Sequence, residues 1–98
     1  MRKKILNIAK RHYLKKDWYT GWGADTDWQK CIFDAVRELY SEASETYTDA
    51  TYALLKAANL KIAEEDRLEL YKYPRSFCLK IIDKYYQKQN FVSALEIE

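Results

Sequence analysis

From Arg2 to Lys16, Ile5, Leu6, Ala9, His12 and Tyr13 fall on one face at ~100° per residue, with Ile8 and Leu14 flanking that stripe. Lys3, Lys4, Lys10, Arg11 and Lys15 cluster on the opposite face, so the pattern predicts a basic amphipathic helix. Trp28, Ile32, Ala35, Val36, Leu39 and Ala43 then recur at helical spacing and predict a second helix over residues 27–44. Thr26-Asp27-Trp28-Gln29 is a capping box in front of it. The Thr26 hydroxyl accepts from the Gln29 amide, and the Gln29 side chain reaches back to the amide of Thr26. Asp27 suits the positive end of the helix dipole.

Thr48 or Asp49 can cap a third helix over 50–58, whose alanine-rich face lets a neighbour approach closely and makes it central. Asn59 serves as a left-handed stop, with Leu60 folding back on the last turn. A short fourth helix over 63–71 carries Glu64, Glu65 and Asp66 in its first turn and must end before Pro74. Pro74 opens a fifth helix, where its missing donor costs nothing. Phe77, Cys78, Ile81, Ile82, Tyr85 and Gln89 form its inner stripe, widened by Leu79 and Tyr86, and Asn90 can end it. Residues 91–98 stay open between a continued helix, a short strand and a frayed tail. Asp17 to Ala24 has no helical period, holds both glycines and reads as a loop carrying Trp18, Tyr19 and Trp22. The expectation is an all-α chain: a single-domain bundle of four to five short helices over residues 1–98.

Composition sharpens this picture. Ninety-eight residues give room for one domain, and two glycines with one proline argue against a many-turned sandwich or barrel. The longest uncharged stretches, 18–24 and 89–95, are seven residues each, against roughly 20 needed to span a bilayer. The basic N-terminal segment lacks a signal-peptide core, and Cys31 and Cys78 are too sparse for a disulfide framework. A cytoplasmic protein without a membrane partner is expected. Charge is unevenly placed: residues 1–16 carry +7, residues 17–70 carry −7 and residues 71–98 carry +2. That asymmetry predicts either two surfaces of opposite sign or a basic element folded onto an acidic body.

No set of residues points to catalysis. His12, the sole histidine, sits beside an apolar stripe and has no nucleophile and base placed with it. Cys31 and Cys78 lack the close pairing that pre-forms a zinc site, and both lie on inner stripes as small core residues. Asp25-Thr26-Asp27 is accounted for by the capping box, and Glu64-Glu65-Asp66 by the helix dipole. Gly21-Trp22-Gly23 lacks phosphate-loop spacing and lets a bulky loop turn tightly. No catalytic, cofactor-binding or metal-ligating residue is assigned, and the chain is expected not to be an enzyme.

Binding is the better expectation. Three Trp, nine Tyr and three Phe make the chain 15% aromatic, and aromatic residues dominate interface hot spots. Trp28 belongs to a core stripe. Trp18 and Trp22 either pack as a lid over the end of the bundle, the default for such residues, or, with Tyr19 and directly after the basic helix, are candidate anchors, with Lys3, Lys4, Lys10, Arg11 and Lys15 steering. This reading makes the chain a small protein-binding regulator or inhibitor that occludes a surface of a larger protein or nucleoprotein complex. By analogy of size and composition, one specific form is an anti-defence protein of a phage or other mobile element. The alternative partner is nucleic acid, held by the basic helix or by a weak helix-turn-helix with Arg75, Ser76, Lys80 and Lys84 on its reader. The apolar face of the first helix is too modest to favour a lipid surface.

Overall fold

The computed structural model describes residues 2–40 and 47–96, and its elements follow the sequence periodicities closely. They are α1 (Arg2–Lys15), a 3-10 turn (Thr20–Trp22), α2 (Asp27–Leu39), α3 (Tyr47–Ala57), α4 (Glu64–Lys72), α5 (Pro74–Tyr85) and α6 (Lys88–Glu96). There is no strand among the described residues, and the fold is a small all-α bundle.

Local chemistry explains the boundaries. Both halves of the Thr26–Gln29 capping box form, at 3.4 Å to the Thr26 hydroxyl and 3.2 Å to the Gln29 side chain. The same Gln29 amide donates to Asp83 at 3.1 Å, so one side chain caps α2 and ties it to α5. Asn59 is left-handed, with φ 56°. The Leu60 amide donates back to Leu55 at 2.9 Å and that of Asn59 to Lys56 at 3.0 Å, satisfying the last carbonyls of α3. An identical pair of bonds ends α1 around Lys16, at φ 53°. Pro74 is the first residue of α5, which follows α4 through Tyr73 alone.

Three boundaries differ from expectation. α2 ends at Leu39, where the Tyr40 amide donates to Val36, and the expected stripe position Ala43 and end point Ser44 lie outside the described residues. α3 begins at Tyr47, three residues before the expected start. The expected stop at Asn90 falls inside a sixth helix instead, and α5 breaks four residues earlier, at Tyr86. Tyr86 and Phe91 are both fully buried. On one continuous helix they would stand ~140° apart and could not share a core, so the chain turns between them.

α1 packs along α2, α3 packs along α5, and α6 closes against α1. The core joins Ile5 and Ala9 with Ile32, Phe33 and Val36, then with Leu54, Cys78 and Ile82, and ends in Tyr86 and Phe91. Burying each large side chain contributes about 1.5–3 kcal/mol. Cys31 and Cys78 are unpaired and buried. The Cα radius of gyration, 12.6 Å, is that of one globule, for which about 13 Å is usual at this length.

Candidate partner-docking face

The aromatic bend after α1 is ordered by one carboxylate. Asp34, on the second turn of α2, accepts the Tyr19 amide at 2.8 Å and the Trp22 indole N–H at 2.9 Å. Those bonds draw the 3-10 turn onto α2. Trp22 stacks on Phe33 at 5.1 Å between centroids, meets Tyr19 edge-on at 5.7 Å, and is 1% exposed. Trp22 is therefore a core residue. Its expected role as a surface anchor is corrected, because a side chain sealed under the bend offers a partner no area. The glycines make this fold of the bend feasible: a Cβ on Gly21 would collide with the Tyr19 ring, and Gly23 adopts φ 70° beside the Tyr47 hydroxyl.

The other two aromatic candidates stay nearer the surface. Trp18 is half-buried, stacked at 6.1 Å on Tyr13. Tyr19 is 42% exposed, with the Arg37 guanidinium 5.8 Å from its ring centroid.

On α1, Lys3, Lys4 and Lys15 are exposed and form no ion pair with another described residue. Lys10 is half-buried and engaged within the fold. Arg11 bonds Glu38 of α2 at 3.0 Å. His12 lies beside it, with Nε2 3.0 Å from the other Glu38 oxygen and Nδ1 2.9 Å from the Asp17 carbonyl. Both ring nitrogens thus lie within hydrogen-bond distance of oxygens on other residues. Glu38 thus clamps the end of α1 to α2, and His12 has a structural position.

One residue of this face was missed from sequence. Leu14, expected to flank the apolar stripe, is 55% exposed, whereas Tyr13, 37% exposed, stays on the inner stripe with its ring 5.2 Å from that of the buried Phe91. The signal was available for Leu14: nine positions beyond Ile5 is ~180° around the helix, opposite the core. Leu14 therefore stands amid Asn7, Lys10, Arg11 and Lys15, and helps line a shallow depression of about 400 Å³.

The second candidate surface is differently arranged. On α5, Arg75 donates to the Gly23 carbonyl and to Asp25, both at 2.6 Å, and Lys80 reaches Glu69 at 3.5 Å. Ser76 and Lys84 are exposed. Of the four residues expected on a nucleic-acid reader, Arg75 is thus held by its own chain, while Lys80 keeps only a long, exposed contact. Among the described residues no cluster of His, Cys, Asp and Glu could hold a metal ion, and no helix is long and apolar enough to cross a membrane. No family, curated protein or solved structure matches the chain.

Proposed function

We propose that this protein is a small non-enzymatic regulator that docks the outer face of α1 on an acidic surface of a larger protein and occludes it. The observation that carries the reading is Leu14, an exposed leucine set in a helix face whose charged residues are all basic. Lys3, Lys4 and Lys15 steer the encounter and fix its orientation, while Leu14 and Tyr19 supply the buried area. Arg11, paired with Glu38 of α2, holds the face to the body, and Lys10 borders it. An apolar centre inside a cationic rim fits a protein surface better than a phosphate backbone, where an apolar centre has no counterpart. The sparse cysteines favour a reducing compartment, and we place the protein in the cytoplasm.

The test is capture from a native lysate by the wild-type chain, by Lys3→Glu/Lys4→Glu/Lys15→Glu and by Leu14→Asp, with bound material identified by mass spectrometry. All four positions are exposed, so the variants keep the fold, which circular dichroism checks. A protein retained by the wild type and lost by both variants is the expected result. Retention of nothing that both variants lose overturns the proposal. Nuclease-sensitive retention that falls steeply with salt would overturn it in favour of nucleic acid.

A further inference from the structure

A second surface lies away from α1, where α5 passes beneath the α3–α4 connection. Leu55, Leu60, Ile62, Phe77, Ile81 and Tyr85 floor a groove of about 230 Å³. Lys61, Lys80 and Lys84 stand on it against Asp66, with Glu69 reaching Lys80 from outside the lining. The volume is below the roughly 300 Å³ at which drug-sized or cofactor sites begin, so the groove takes side chains and not a cofactor. Its shape is directional. Phe77, Ile81 and Tyr85 follow one another at four-residue spacing and make an apolar row ~12 Å long. Lys80 and Lys84 form a parallel cationic row one position behind. Lys80 shares a 3.5 Å contact with Glu69 at 72% exposure, and the Lys84 ammonium lies 5.2 Å from the Tyr85 centroid. Both ammonium groups can turn to a newcomer without leaving a buried charge.

We propose that this groove docks an acidic amphipathic helix of a protein partner, through apolar side chains four residues apart flanked by Asp or Glu. Apolar side chains at that spacing match the row along α5, and the flanking carboxylates match the three lysines, which is how helices are read in grooves. The reading stands on α5, the end of α3, the α3–α4 connection and the first turn of α4, and does not depend on the α1 face.

The experiment titrates the ¹⁵N-labelled full chain with a synthetic helical peptide carrying Leu at four-residue spacing and Glu beside each. A control peptide replaces every Glu by Lys. The expected result is amide shifts at residues 60–62 and 77–85, with affinity at least tenfold lower for Lys61→Glu/Lys84→Glu and unchanged for Lys3→Glu/Lys15→Glu. The Lys-flanked peptide should bind the first variant better than it binds the wild type. All four substituted sites are exposed, and circular dichroism verifies their folding. No shift at millimolar peptide overturns the proposal, as do shifts confined to α1 or equal binding of both peptides by the wild type. Laurate filling the groove while the acidic peptide does not would overturn it in favour of a small anionic amphiphile.

Discussion

Trp22→Ala tests the placement of the aromatic bend. The indole is 1% exposed and lies against Phe33, Tyr19 and Tyr47, so its removal leaves a cavity as well as lost burial. Large aromatic truncations of this kind cost about 3–5 kcal/mol. The lost bond to Asp34 adds about 1 kcal/mol at most, because that carboxylate keeps the Tyr19 amide and is only half-buried. A domain of this length has about 5–15 kcal/mol in total. The loss is thus a large share of it. At about 4–8 °C per kcal/mol, a loss of about 3 kcal/mol lowers the thermal midpoint by at least about 12 °C. Differential scanning calorimetry measures this, and Trp22→Phe, which keeps most of the ring, should recover more than half of the loss. A midpoint for Trp22→Ala within about 2 °C of wild type would refute the burial argument and return the indole to the surface.

Two further outcomes follow from named contacts. Burial pushes the thiols of Cys31 and Cys78 up from 9.0 to about 12, the first further raised by Asp34 and Asp27, and it pushes the Tyr86 phenol up to about 12. Between pH 9 and about 12 the folded chain therefore holds more protons than the unfolded one, so the thermal midpoint should be insensitive to these groups below pH 9 and fall above it, and at pH 8 neither thiol should react with a disulfide reagent until the chain unfolds; ready labelling of the native protein would contradict this. Gly23→Ala forces a side chain to φ 70° and onto the Tyr47 hydroxyl, so urea unfolding should show a loss of about 1–3 kcal/mol, and an unchanged midpoint would show that the bend is built otherwise.

What was legible from sequence was what is decided locally. The Thr26–Gln29 box, the left-handed Asn59 and Pro74 each set a boundary through atoms a few residues away, and all three stand where expected. Helical periodicity likewise sorted Ile5, Ile32, Val36 and Ile82 into the core. The bend has no period, so nothing local separates Trp18 at the edge from Trp22 inside, and the deciding partner, Asp34, is twelve residues beyond Trp22. Arg11 and Arg75 looked alike as exposed cations, yet Glu38 and Asp25 engage them across 27 and 50 positions. The break at Tyr86 carries no glycine or proline; it follows from two aromatic residues seeking one core. Leu14 was misread by arithmetic and not by physics.

Under the docking proposed above, the clasp at Asp34 bears on how the bend after α1 would meet a partner. Because one carboxylate receives both donors of the bend, the bend after α1 would already hold its pose before such an encounter, with little backbone left to organise. Association then resembles the fitting of two finished shapes, in which affinity depends on what the face presents and hardly on ordering it.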